Sequence, residues 1–354
     1  MLGRGIDQAL PHPCKPDIHE AHMRSALDYL RLAESAHGPI SAPLGPSQIW
    51  GAALEQLGNL RPAARIINLE TSITRSEDFQ PKGINYRMSP ENAQCLAVAG
   101  IDCCVLANNH VLDWGQVGLS DTLATLDKLG IGHCGAGRDA ATASLPTVVN
   151  CPREGRVLVF SVACTSAGIP AEWAASPTTP GINLLPDLSS GTISALSELI
   201  GQHTRRGDVV VLSIHWGSNW GYAITDSQRQ FAHDLIDRAG VSIVHGHSSH
   251  HARAIEVHSG RLILYGCGDF INDYEGITGY EEYRSDLTLM YFPEIDPESG
   301  TLVRLDMIPL QIRKFRLNCP PTTDIEWLAH SLDRQSRDLG TRITAHAQRL
   351  VLGW

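Results

Sequence analysis

The chain has 354 residues, with 38 Asp and Glu against 28 Lys and Arg, a formal charge of -10 and 43% hydrophobic residues. That is one large or two modest domains with material for a sizeable core, and it excludes disorder. It also argues against nucleic acid as a partner, since there is neither a net basic field nor a Lys/Arg run to attract phosphates.

No run approaches the roughly 18 consecutive apolar residues of a membrane span, and the N-terminal Met-Leu-Gly-Arg-Gly lacks the parts of a signal peptide. The 9 cysteines are odd in number, contain no Cys-x-x-Cys pair and fall in apolar runs. They read as buried free thiols of a reducing compartment, so the expected location is cytoplasmic.

In chain order, short apolar runs predict strands over 65–68, 103–107, 157–162, 209–214, 242–244, 262–265, 287–292 and 302–308. Most are apolar on both faces, as strands covered on both sides are. Helical periodicity predicts helices over 25–35, 46–57, 118–129, 192–204, 227–239 and 323–339. In the fifth, Phe231, Ala232, Leu235, Ile236 and Ala239 make the apolar stripe, Asp226 is placed to cap the start, and Gly240 ends it. The alternation predicts an α/β layered domain over 1–315 whose chemistry sits at strand carboxyl ends, followed by a helical tail over 316–354. The Gly/Pro/Ser-rich loops 39–47 and 168–190 are candidates to lie over a site.

Polar residues recur where these strands end. The first runs into Asn68-Leu69-Glu70. The second runs into Asn108-Asn109-His110, with Asp113 and Gly115 following. The fourth empties into His215-Trp216-Gly217, and the fifth into His245-Gly246-His247-Ser248-Ser249-His250-His251, four of the chain's 16 histidines. A carboxylate, an amide and several imidazoles at neighbouring strand ends suit a divalent ion, and there are donors enough for two. Outside these segments, Arg87 is a candidate fork for a substrate carboxylate or phosphate, with a surface ion pair as the alternative. Trp216 and Trp220 flank His215 as candidate walls of a substrate pocket, with core packing as the alternative.

Together with Tyr265-Gly266-Cys267-Gly268-Asp269-Phe270, these ordered motifs resemble the CapA family of poly-γ-glutamate capsule biosynthesis proteins. The resemblance implies a calcineurin-like metallophosphoesterase fold to about residue 315. It implies Glu70, Asn109, His215, His247 and His250 as metal ligands, and His110 as proton donor or oxyanion stabiliser. His247 doubles as a catalytic candidate, and Asp269, where the family more often has Asn, enters as extra ligand or base. The cofactor expected is a divalent metal, two ions of Mn, Zn, Fe, Mg or Ca.

By the family's motif order, a strand ending in Gly-Asp precedes the Leu-Gly-Arg-Gly segment. The resemblance makes that Asp a metal ligand, so either the true start lies one strand upstream or the site lacks this carboxylate, with Asp7 able to replace it only if the backbone shifts. The function expected is a metal-dependent acid/base enzyme on a peptide-type substrate, by hydrolysis or by α-carbon epimerisation as in CapA-like lasso-peptide epimerases. The alternatives are an accessory role in poly-γ-glutamate synthesis and a phosphoesterase.

Overall fold

The computed structural model of the chain describes residues 1–151 and 155–354. The fold is α/β. All eight expected strands are present, as Ile66–Asn68, Cys103–Val105, Gly155–Ala163, Asp208–His215, Ile243–His247, Arg261–Leu264, Leu287–Ile295 and Leu302–Ile312. The six expected helices form as Leu27–His37, Ala52–Leu60, Gly115–Leu129, Ser190–His203, Asp226–Ala239 and Thr322–Ser336.

Three sheets carry the architecture. Ile66–Asn68, Cys103–Val105 and Gly132–Cys134 make a parallel three-stranded sheet. A six-stranded sheet has Gly155–Ala163, Asp208–His215, Ile243–His247 and Arg261–Leu264 parallel at its centre, with antiparallel strands Thr147–Cys151 and Ile255–His258 at the edges. The third, five-stranded sheet is antiparallel around Leu302–Ile312.

Alternation of side chains along the strands builds the layers. Cys103 and Val105 pack with Cys134, Val149 and Val159 between the first two sheets, while Cys104 on the opposite face joins Leu119, Leu123 and Leu126 of the Gly115–Leu129 helix. On the six-stranded sheet, Leu158, Phe160, Val162, Val210, Leu212 and Ile214 meet the Ser190–His203 and Asp226–Ala239 helices. Helices thus cover the outer faces and two sheets meet in the middle. This explains why the central strands are apolar on both sides.

Two expectations change. The Asp226–Ala239 helix is capped by Thr225, whose hydroxyl accepts from Gln228 N while the Gln228 side chain returns to the Thr225 N–H; Asp226 is instead the first residue of the helix. After the Thr322–Ser336 helix the tail adds a hairpin, Arg342–His346 with Arg349–Gly353, which joins the third sheet with Leu350 opposite Met307. That turn places Ala347 at φ 55°, with no Gly or Asn to announce it in the sequence.

The first turn of the chain is fastened to a segment 269 residues further on. Arg4 is buried and donates to Asp273 at 2.6 and 3.1 Å and to Glu20 at 2.9 Å. Its guanidinium also lies 3.8 Å from the Tyr29 ring centre and 4.3 Å from that of Tyr86. Asp273→Ala is expected to cost about 3–5 kcal/mol in denaturant unfolding, because it removes two of the three hydrogen bonds made by the buried Arg4 guanidinium and the acceptor of Gly5 N, leaving those donors unpaired. A loss below about 1 kcal/mol would show that the cluster does not brace the fold.

Candidate functional site

The polar residues at the strand ends are held by the strand exits themselves. Asn108 ties two of them together: its Nδ2 donates to Asn68 Oδ1 and Leu69 O, both at 3.0 Å, and its Oδ1 accepts from the His110 and Val111 N–H groups. Asn68 in turn donates to Glu70 Oε2 at 2.8 Å. Burial raises the pKa of Glu70, partly offset by His250. The neighbouring Asn109 keeps a buried Oδ1 with no hydrogen-bond partner among the described residues.

On the six-stranded sheet, parallel pairing sets Ser213 opposite His245 and His215 opposite His247. Nδ1 of His215 faces Nδ1 of His247 at 2.6 Å, and His247 Nε2 lies 2.8 Å from Ser213 Oγ. His215 Nε2 is buried without a hydrogen-bond partner among the described residues. Just past His247, Ser248 has φ 109°, a strained conformation for a residue with a Cβ and one that clusters at functional sites. His250 pairs with Asp269 at 3.0 Å, and Asp269 accepts from Asn272 at 2.9 Å. Desolvation opposes the charge on His250, but Asp269 and Glu70 outweigh it and raise its pKa; the same pairing holds Asp269 low against its own burial.

His110 is held by a third group. Its Nδ1 is 2.7 Å from Asp113 Oδ2, and Lys82 reaches Asp113 Oδ1 at 2.8 Å, His110 Nδ1 at 3.3 Å and the Asn109 carbonyl. Burial, reinforced by Lys82 and His250, lowers the pKa of His110; burial pushes Asp113 up to about 7 against the pull of Lys82. Trp173, from the 168–190 loop, covers Lys82 with its ring centre 5.0 Å from Nζ. Lys82 was not legible in the sequence, because Pro81-Lys82-Gly83 looks like any exposed turn.

The structure therefore brings His215 and His247 together, and His250 with Asp269, while Glu70 and His110 lie within electrostatic reach of His250. Trp220 joins them from the rim, its ring 5.3 Å from that of His250 and stacked on Tyr280 at 4.1 Å. Trp216 is core: it is buried, stacks on Tyr265 and donates to the Tyr265 carbonyl. Arg87 lies on Trp114 and spends its fork on the Ser76 and Lys15 carbonyls. Asp7 accepts from Cys14, Ser89 and Asn92, which ties loops together and leaves it outside the cluster.

Two observations fit a cation here: facing imidazole nitrogens, only one of which can donate, and the orphaned Asn109 and His215 atoms. Among the described residues, however, no three His, Cys, Asp or Glu side chains form a group that could hold a metal. The amide oxygen of Asn109 would then have to complete the donor set.

Burial lowers the pKa of His110, His215, His245, His247 and His251, with His245 and His251 falling to about 4. An unfolded chain takes up these protons near 6.5. Between roughly pH 6.5 and 4 the unfolded state therefore binds more protons, and stability falls as pH falls, by about 1.4 kcal/mol per unit for each neutral imidazole. His250, Asp113 and Glu70, whose pKa values are raised, work in the opposite direction and reduce the net slope. Thermal unfolding with chelator present is expected to show a melting temperature that declines from pH 7 to 5; a flat profile would contradict a neutral, buried cluster.

The family model described as bacterial capsule synthesis protein PGA_cap matches residues 1–274. A probable polyglutamine synthesis accessory protein of Mycobacterium tuberculosis is 45% identical over 99% of this chain and 93% of its own length. The PGA biosynthesis protein CapA of Bacillus subtilis is 28% identical over 70% of this chain and 61% of its own length. The capsule biosynthesis protein CapA of Bacillus anthracis is 24% identical over 66% and 53%. The chain belongs to the PGA_cap family of bacterial capsule synthesis proteins, the CapA family.

Proposed function

We propose that this chain serves glutamyl-polymer synthesis as a metal-dependent acid/base enzyme acting on a peptide-type substrate, on a calcineurin-like scaffold. The role in polymer synthesis is carried over from the names of its relatives. The chemistry rests on one observation: buried imidazoles and carboxylates gather at strand ends beside the His110–Asp113 pair.

Glu70, Asn109, His215, His247 and His250 would hold the ions. The donors fall into two pairs, His215 with His247 and Glu70 with His250, so the Asn109 amide oxygen or another oxygen donor would have to complete either site. A divalent cation bound here would polarise a carbonyl oxygen and lower the pKa of bound water.

The protein's own part is orientation and proton transfer. Asp113 occupies Nδ1 of His110, so Nε2 is the nitrogen free to give or take a proton at the reacting amide or α-carbon. Lys82 holds Asp113 in place from the other carboxylate oxygen. Asp269 fixes His250 through Nδ1, and Asn68 fixes Glu70. Trp220 with Tyr280 and Tyr283 gives an aromatic edge next to His250 against which an extended peptide could lie.

Incubation with γ-glutamyl peptides and added Mn or Zn in D₂O separates the outcomes by product mass and chirality. Chain shortening would mean hydrolysis; deuterium at the α-carbon with unchanged length would mean epimerisation. In either case His110→Ala is expected to lower the rate about 10²–10⁴-fold. Absence of any metal-dependent product, with no ion retained by the purified protein, would leave a non-catalytic accessory role.

A further inference from the structure

Ser213 interrupts an otherwise apolar strand and is fully buried. Its hydroxyl lies 2.8 Å from Nε2 of His247 and 3.0 Å from Nδ1 of His245. Beyond His247 the chain of contacts continues, Nδ1 to Nδ1 at 2.6 Å, into His215, whose Nε2 is buried and unpartnered. Four side chains on two paired strands thus form one line, His245, Ser213, His247, His215.

A serine hydroxyl has a single proton, so if it donates to one imidazole it must accept from the other. The line can therefore run in only two directions, and its far end decides between them. If His215 carried its proton on Nε2, a buried N–H would be left with no acceptor, the rarer and costlier of the two defects. His215 therefore carries its proton on Nδ1 and donates to Nδ1 of His247. His247 then carries its own on Nε2 and donates to Ser213, and Ser213 donates to Nδ1 of His245.

We propose that Ser213, backed by His245, is a positioning residue that holds His247 in the Nε2–H tautomer, with the Nδ1 lone pair turned toward His215. The tautomer follows from the geometry alone. Its consequence for cation binding rests on the proposed metal reading, in which a cation entering between the two rings would displace the His215 Nδ1 proton and meet the His247 Nδ1 lone pair that Ser213 holds in place. Ser213→Ala leaves the His247 Nε2–H without an acceptor and frees the ring to change tautomer or turn. Ser213→Thr keeps the hydroxyl.

The test has two arms. In chelator-treated protein with ¹⁵N-labelled histidine, long-range proton–nitrogen spectra report the tautomer of His247, assigned through its loss in His247→Gln. The wild type and Ser213→Thr are expected to show a bare Nδ1 and a protonated Nε2, and Ser213→Ala a mixture or the reverse. His245→Gln is a second variant for the case in which Ser213→Ala folds poorly, and is expected to shift the ring in the same direction. In the second arm, titration with Mn or Zn alone is expected to show affinity about 10–100-fold weaker in Ser213→Ala, restored in Ser213→Thr.

A wild-type His247 protonated on Nδ1 would overturn the proposal. So would a tautomer and an affinity that Ser213→Ala leaves unchanged. If the tautomer shifts as expected but the wild type binds neither ion, the positioning role stands and the metal reading falls.

Discussion

The parallel register between Asp208–His215 and Ile243–His247 is the constraint on which the rest depends. It sets Val211 opposite Ile243, Ser213 opposite His245, and His215 opposite His247, all on the face opposite the helices. Along that face the lining changes within four residues from apolar packing to a hydrogen-bonded row of imidazoles. A slip of one residue would turn His215 and His247 toward the outer helices and put Ile214 in their place. The apolar layer against the Ser190–His203 and Asp226–Ala239 helices, with Leu212, Ile214 and Val244 fully buried, fixes the register and with it the pairing of the histidines.

The strand ends that carry the candidate residues were legible. Glu70, Asn109, His110, His215, His247 and His250 each follow an apolar run read as a covered strand, and parallel strands deliver such residues to a common edge. The supports were not legible. Lys82 approaches His110 from 28 residues away and Asp269 approaches His250 from 19 away, with no local periodicity to mark either contact. Ser213 carried a faint signal, a hydroxyl inside an apolar strand, easily taken for a small residue tolerated in a core. Arg4 and Asp273 are 269 residues apart, and nothing in either neighbourhood predicts the other. Arg87 and Trp216 show the reverse limit: residue types suited to substrate contact can spend their forks and rings on the fold.

The polar cluster is hard to account for as stabilisation. Each buried imidazole loses hydration, and a pair meeting nitrogen to nitrogen can make one hydrogen bond at most. An apolar pair at His215 and His247 would extend the packing already present at Val211 and Ile243 without leaving Asn109 Oδ1 and His215 Nε2 unsatisfied. The strained backbone at Ser248 adds to the same account. Such costs are retained where a site requires them.

The arrangement also bears on whether an accessory role and a catalytic one exclude each other. A protein that only bound partners in a polymer assembly would need its surface, and would gain nothing from an oriented His110–Asp113–Lys82 group and a serine-linked row of imidazoles beneath an aromatic rim. On the proposed reading such groups would act on something small enough to reach them. The relatives' association with polyglutamate or polyglutamine synthesis supplies a substrate class that meets this condition, because the end of an extended glutamyl chain is narrow and offers amide and carboxylate oxygens to a cation and an α-proton to a base. On the proposed reading the accessory role would be exercised through the site rather than beside it, by chemistry on the polymer.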